Sequence, residues 1–596
     1  MLTEPSCFVA QKDGAFYVEQ IVWTAGIAQG KQGMSPSLTV LIIGGYGTFG
    51  GRLVELLEDE VALNIIISGR SFVKAEAYWR ARKGACATLT PALFDRSGNL
   101  EEQLAQWQPD IVVDASGPFQ NYGAAPYRVI EACISLKINY LDLADGSTFV
   151  DGVAQYDPQA KQAGVFILSG VSSFPVLTVA VVRHLAQDMQ KVQSIIGGIA
   201  PSPYAGVGDN VIRAIAGYAG QPVTLLHGGK EKTLYPLTET RRYTVAAPGF
   251  VPLRNKLFSL VDVPDLKVLA KLWPETEYIW MGAAPVPEIL HRALILFAGL
   301  VKHRLVASLL PLAPLMALVM RYVRWGEHRG GMFVEVAGED QAGHAVKKSW
   351  HLLAEGTDGP LIPSMAAEFI IRQILAGKRI KAGARTAVED ISLEDYQALF
   401  ARRSIETGMR DDTPPSDNTV YQTVLGNEWN NLPPEIRAMH SLRDRLSATG
   451  KGTVKRGWNP LAHLICGILG MPKSSEDIPV TVTFTAQDRI ETWTRQFGTY
   501  VFKSLQYAGK GRDDRLLVER FGVLRFGMAL VPEDGKLKLV LRHWSAFGIP
   551  LPIWLCVKSD SFETVIGGRF HFHVKLSHPL IGPIIHYQGW LEMEAA

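Results

Sequence analysis

At 596 residues the chain is too long for one hydrophobic core, so roughly three or four domains are expected. Hydrophobic residues make up 47% and charged residues 20%, an ordinary globular composition rather than a disordered or fibrous one. Lys and Arg total 60 against 58 Asp and Glu, for a net charge of +2, and no basic run or aromatic-spaced basic patch occurs, which argues against a nucleic-acid partner.

The opening residues, MLTEPSCFVAQKDG, lack the basic and apolar regions of a secretory signal, and residues 1–36 show no periodicity. They read as an extension, with Met34 standing directly before SPSLTVLIIGG. The five cysteines are scattered, with no Cys-x-x-Cys spacing, which suits a reducing, cytoplasmic setting better than a disulfide scaffold.

Leu38–Ile43 is a short β-rich run of the kind buried on both faces of a parallel sheet. From Thr48 onward, Phe49, Leu53, Leu56 and Leu57 recur at helical spacing. Gly45, Gly47 and Gly50 therefore form G-x-G-x-x-G at a strand-to-helix junction. One glycine permits the turn, one lets backbone approach a pyrophosphate, and one lets helix pack on strand. Phosphates would sit at the helix N-terminus, so Gly44, Gly45, Tyr46, Gly47, Thr48, Phe49 and Gly50 are expected to hold the cofactor. Asn64–Ser68 is a second strand. An NAD-binding unit usually places Asp or Glu about 20 residues past the glycines. Here Arg70 stands in that region, flanked by Ser68 and Ser71, with Lys74 one turn on. A guanidinium can grip a 2′-phosphate that a carboxylate would repel, so these four residues point to NADP(H). The plainer reading of Arg70 is a solvated residue at a helix start.

Further strands follow at Asp110–Phe119, which breaks into Ser116, Gly117 and Pro118, at INYLDLADG, and at GVFILSG. Strand and helix patterns alternate to about residue 190, an α/β, doubly wound domain whose ligands bind beyond the carboxyl ends of the strands. Ser116, Gly117 and Pro118 lie at such an end and join the expected cofactor contacts. Tyr122, Asp145 and Asp142 lie on the same rim and are the catalytic candidates, since hydride chemistry needs a proton donor or acceptor nearby. Tyr122 can equally be a packing residue whose hydroxyl caps the loop, and Asp142 a turn cap. No Tyr-x-x-x-Lys pair occurs in this domain.

The stretches GGYGTFGGR, SGR, VVDASGPFQNYGAAPYRVIEAC, YLDLADG and LSGVSSFPVLTVAVVRHL resemble the saccharopine dehydrogenase-like oxidoreductases, including the trans-acting enoyl reductases of lipid assembly. The resemblance implies an NADP-binding Rossmann domain over 37–195 and an α+β substrate and dimerisation domain over 196–405, with LLAEGTDGP and the helix after it similar to that domain's closing segment. Ser147 stands where the family usually carries Glu, which departs from its amino-acid chemistry.

Within the second domain, Leu305–Met320 runs 16 residues without a charge, interrupted by Pro311 and Pro314. A straight helix of that length covers roughly 24 Å, short of the roughly 30 Å of hydrocarbon. Lys302, Arg304, Arg321 and Arg324 bracket it, with Tyr322 and Trp325 after it, as at a membrane interface. It reads as a lipid-facing hairpin giving peripheral membrane contact, with a buried helix pair as the alternative.

Residues 406–422 read as a polar, proline-containing linker. Beyond it the pattern turns to strands, with a hairpin signal at Pro-Glu-Asp-Gly and one apolar helix in NPLAHLICGILGMP, so 423–596 is expected to be β-rich. LPPEIRAMH, RGWNPLA, ERFGVLRF, GIPLPIWL and HYQGWL resemble an uncharacterised domain found fused to such reductases. His571 and His573 share a strand face, and with His578 or His586 they could bind metal, but no carboxylate or cysteine stands at ligand spacing and no metal is expected. Trp493, Trp544, Trp554 and Trp590 suit either ordinary core packing or a lipid cavity.

The expected function is NADP-dependent reduction of a C=C or C=O bond in a hydrophobic substrate. Two alternatives stand beside it: a nucleotide-binding lipid carrier or scaffold without catalysis, and amino-acid or imine chemistry using Arg241 and Arg242.

Overall fold

The computed structural model describes residues 38–594 apart from 207, 286, 324 and 414–416. The extension read over 1–36, and Arg324 among the flanks of the apolar run, lie outside the described residues.

The first sheet begins with β1 (Leu38–Ile43), which turns into α1 (Thr48–Leu57) and returns as β2 (Leu63–Gly69). Then come α2 (Phe72–Arg80), β3 (Thr88–Leu93), β4 (Ile111–Asp114), β5 (Asn139–Asp142) and β6 (Phe166–Ser169). All pair in parallel, in the order β6-β5-β4-β1-β2-β3, with Gly383–Thr386 added outside β6. Side chains alternate across a strand, so Val40 and Ile42 pack into one core while Leu41 and Ile43 pack into another on the opposite face. The crevice lies at the carboxyl ends of β1 and β4, where strand order reverses. The α/β doubly wound expectation is borne out.

The second sheet has nine strands and is mixed. Its path runs Thr240–Tyr243, Lys256–Leu260, Tyr278–Ala283, Met189–Ala200, Gly330–Asp340, Ala345–Ala354 and Ile405–Asp411. Phe258, Phe333 and Trp350 are fully buried in its core. The stretch expected to be a linker therefore opens with a strand, Ile405–Asp411, paired to Ala345–Ala354, and closes on a capped helix, Val420–Leu425. Its polar residues belong to a sheet-edge strand, which exposes one side and so resembles a linker in composition. The apolar run Leu305–Met320 is largely on the surface. Leu305, Leu310, Leu312, Leu315 and Leu318 are exposed, and the neighbouring helix Glu288–Lys302 adds exposed Ile289, Leu296 and Phe297. Among the described residues no helix is long and apolar enough to cross a membrane.

The last region is a closed antiparallel barrel of ten strands. It closes where Leu524–Glu533 pairs with Lys536–Ala546 through Asp534 and Gly535, whose φ values of 51° and 72° make the tight hairpin turn that the Pro-Glu-Asp-Gly signal predicts. The ring is completed where Lys536–Ala546 meets Lys558–Ile566, at two residue pairs, Leu537 with Glu563 and Lys538 with Phe562. The helix Pro460–Ile468 connects Arg445–Arg456 to Ser475–Gln487. Arg515 grips Asp412 with two hydrogen bonds of 2.6 and 2.7 Å, and Arg542 pairs with Glu327 at 2.9 Å, tying the barrel to the second sheet. The His573 ring lies 4.7 Å from that of His586, and no cluster of three metal-ligating residues occurs among the described residues.

Candidate cofactor and active site

After β1 the chain turns at Gly44, whose φ of +78° is costly for a residue with a side chain. Its N–H and that of Gly45 both donate to the Ser68 carbonyl, at 2.8 and 3.0 Å, locking the loop to β2. Gly47 donates to the Gly44 carbonyl at 2.8 Å and caps α1 without a side-chain hydrogen bond. A Cβ on Gly50 would lie 2.3 Å from the Gly44 oxygen, and one on Gly45 would lie 3.1 Å from the Ile42 oxygen. Helix and loop thus approach as closely as glycine alone permits, leaving first-turn N–H groups for an anion. No acidic residue stands in that turn. Half-buried Thr48 and Phe49 sit within it. The segment before the Asp209–Tyr218 helix crosses above: Arg52 donates to the Ala205 carbonyl at 2.6 Å, and a Cβ on Gly208 would meet the Thr48 hydroxyl at 2.2 Å.

Beyond β2, Ser68 is buried and donates to the Ile42 carbonyl at 2.9 Å, so its hydroxyl serves the loop. Ser71 caps α2, accepting from the Lys74 N–H at 3.4 Å, and its own N–H donates to the Tyr46 hydroxyl at 3.0 Å. Tyr46 covers Gly69, where a Cβ would be 2.6 Å from the hydroxyl. Arg70 and Lys74 are exposed on this rim. Sequence reasoning missed Arg96, which follows β3. Burial pulls its guanidinium below the usual value, Asp114 opposes, and the neighbouring Arg70 charge lowers it further. The rim therefore presents two guanidiniums within electrostatic reach of each other, an arrangement suited to a doubly charged phosphate.

Ser116, Gly117 and Pro118 leave the carboxyl end of β4, with a cis bond before Pro118. Asp114 is fully buried; its Oδ1 accepts from the Ser116 N–H at 3.0 Å and hydroxyl at 2.6 Å, and its Oδ2 accepts from the Tyr122 hydroxyl. Tyr122 also shares a 2.9 Å hydrogen bond with the Ser116 hydroxyl, stacks on Phe119, and carries the Arg96 guanidinium 3.3 Å above its ring. Its oxygen is engaged at the carboxyl end of β4.

Asp142 ends β5, fully buried. Its Oδ1 accepts from the N–H groups of Ala144 and Gly170 at 3.0 and 2.7 Å and from the Ser169 hydroxyl at 3.0 Å, tying the ends of β5 and β6 together. Burial lifts its carboxyl to about 7 despite those donors. Asp145 stands farther out beside Gln120. Burial raises its carboxyl, Gln120 opposes, and the charge of Asp262 pushes it up further.

Asp262 follows the strand Lys256–Leu260, and Tyr218 ends the Asp209–Tyr218 helix, so the second domain supplies both. The Asp262 carboxyl is also raised by burial, with Ser147 and Lys267 opposing. The Tyr218 hydroxyl is pushed far up by burial and by the charges of Asp145 and Asp262. Oε1 of Gln120 and Oδ1 of Asp262 are buried without a hydrogen-bond partner among the described residues. Two carboxyls, a phenol and a carboxamide thus converge where the domains meet, and burial, reinforced by the charge of Asp262, biases the Asp145 carboxyl towards its protonated form. Of the sequence candidates only Asp145 is in this group. Arg242 is paired with Glu288 at 2.5 Å, and Arg241 lies beside Tyr278 and Trp280.

With this geometry in view, residues 40–168 match the family described as saccharopine dehydrogenase NADP binding domain, and residues 432–591 match a domain of unknown function. No curated protein matches. Among solved structures, the chain is similar to apo saccharopine dehydrogenase (L-Glu forming) from Saccharomyces cerevisiae at 12% identity, covering 63% of this chain and 100% of that one, with a TM-score of 0.45. It is also similar to the WlbA dehydrogenase from Thermus thermophilus in complex with NAD and alpha-ketoglutarate, at 11% identity, 61% and 95% coverage, and a TM-score of 0.27.

Proposed function

From a chain whose residues 40–168 are a saccharopine dehydrogenase-like NADP-binding domain, and which is an NAD(P)-dependent oxidoreductase, we propose a reductase for a C=C or C=O bond in a hydrophobic substrate. The observation that carries it is the convergence of Asp145, Asp262 and Tyr218 at the domain junction, beside polar atoms of Gln120 and Asp262 that lack a partner. The glycine loop fits a diphosphate because a Cβ on Gly45 or Gly50 would strike backbone, and its glycines leave the first turn of α1 bare. Gly44 to Gly50 and Ser116 to Pro118 would hold the dinucleotide, with Arg70, Ser71, Lys74 and Arg96 taking a 2′-phosphate. When bound, it supplies the hydride.

The protein's own part is the proton. Asp145, whose carboxyl burial and the charge of Asp262 bias towards the protonated form, can give it to the substrate atom left negative after hydride addition. Tyr218 and Gln120 can hydrogen-bond the substrate's polar group. The charge-free surface of Leu305–Met320, with Leu315 and Leu318 exposed and Arg304 and Arg321 at its ends, supports a substrate taken from a lipid surface and a peripheral membrane contact. The test is NADPH consumption against a panel of long-chain enones and ketones. Asp145→Asn should lower kcat at least 100-fold while NADPH affinity stays within threefold; full activity in that variant would remove the proton-donor role.

A further inference from the structure

The barrel encloses a cavity of about 210 Å³, larger than the ~150 Å³ apolar cavities that bind benzene and stay dry. The size follows from strand number. Eight strands leave an interior that side chains just fill, or room for one small ligand, and diameter grows with each added strand. Ten strands with this composition leave space. The wall is apolar, built from residues such as Val482, Phe484, Trp493, Leu539 and Leu541. Empty apolar volume forfeits dispersion contacts, so a fold that keeps one gains when it is occupied.

One part of the wall is polar and internally satisfied. Arg495 donates to Oε1 of Glu519 at 2.9 Å and to Ser504 at 2.7 Å. Ser504 and Gln506 also donate to that same Oε1, at 2.7 and 3.1 Å, and Tyr421 donates to Gln506 at 3.0 Å. Oε2 of Glu519 receives none of these bonds. Besides His573, the charged side chains lining the cavity are Arg495, Glu519 and Glu563. The single guanidinium is already matched by a carboxylate, and the second carboxylate, Glu563, shares a 2.6 Å hydrogen bond with Nε2 of the buried His440. An anionic ligand head would meet a guanidinium already matched by Glu519 and two carboxylates already hydrogen-bonded, whereas a hydroxyl head can donate to Glu519 without bringing charge.

We infer that the C-terminal barrel is a binding site for an uncharged lipid, an apolar chain or ring system ending in a hydroxyl, and that it selects against the corresponding carboxylate. The Pro460–Ile468 helix lies against the cavity. Ile465, and Leu469 and Met471 just beyond the helix, line the cavity, and Leu461, Leu464 and Ile468 on the helix are exposed to the outside. This site stands apart from the glycine loop and does not depend on the redox reading.

The experiment is a Nile red titration of the full chain followed by displacement at pH 8. Dodecan-1-ol should displace the dye at a concentration at least tenfold lower than dodecanoate. Leu541→Trp, or Leu539→Trp if the first does not fold, fills the cavity and should weaken dye binding at least tenfold with the thermal transition retained. Val61→Glu, at an exposed position in the first domain, should leave the displaceable signal unchanged. Absence of saturable dye binding, equal displacement by dodecanoate, or unaltered binding in a folded, filled variant overturns the inference.

Discussion

Replacing Gly50 by alanine adds one carbon at a position where the structure leaves no space. That Cβ would sit 2.3 Å from the Gly44 carbonyl oxygen, with the Gly44 carbonyl carbon at 2.8 Å and the Gly45 Cα at 3.0 Å. All three are backbone atoms, so no side-chain rotation relieves the contact. Normal separation is restored only if loop and helix move apart by roughly 1 Å. Overpacking of this kind costs about 1–3 kcal/mol. The larger effect falls on binding, because a displacement of about 1 Å in a positioning element costs on the order of 10²-fold. We expect NADPH affinity, read from fluorescence quenching, to fall by 10- to 100-fold and the thermal transition to drop by a few degrees. Gly84→Ala is the control, since nothing lies within 4 Å of the added carbon. An unchanged dissociation constant in a folded Gly50→Ala protein would refute the close-approach reasoning.

Asp262→Asn removes the charge that helps burial raise the Asp145 carboxyl, so the alkaline limb of the kcat/KM profile should move to lower pH; a limb that stays or rises contradicts the pairing. For Asp142, burial raises the folded value to about 7 from 3.8, so the folded state holds a proton that the unfolded chain releases. Stability from this group is complete below pH ~4 and is lost as pH rises towards 7. Asp142→Asn keeps an oxygen for the three donors and should gain on the parent by an order of 1–4 kcal/mol between pH 4 and 8; a constant difference in melting temperature would contradict it. Flotation with anionic liposomes should carry the protein upward and lose Leu315→Glu with Leu318→Glu, and a parent protein left wholly in the soluble fraction would end the membrane proposal.

The glycine loop was legible because its information is local: three glycines at fixed spacing, between a strand and a helix, imply one backbone path. The same holds for the Asp534–Gly535 turn and for the alternation of buried strands. Arg96 was not legible. It lies in an irregular stretch after β3, and only sheet order brings it beside Arg70 and over Tyr122. Asp262 and Tyr218 were missed for a related reason, since they reach the rim from the second domain, one after a strand and one at a helix end, and carry no spacing relation to Asp145. The signal available was modest: a carboxylate in LVDVPD directly after an apolar strand. Barrel closure has no local signature either, because antiparallel hairpins look alike in open and closed sheets. The four tryptophans pointed to an interior only in part, as Trp493 alone among them lines the cavity and Trp554 is exposed.

Calorimetric titration of the full chain with NADPH and NADH, beside Arg70→Asp, bears most directly on the dinucleotide site. Both should bind the parent protein, NADPH at least tenfold tighter, and the preference should vanish or invert in the variant. No heat with either dinucleotide, or a preference untouched by the substitution, would contradict it.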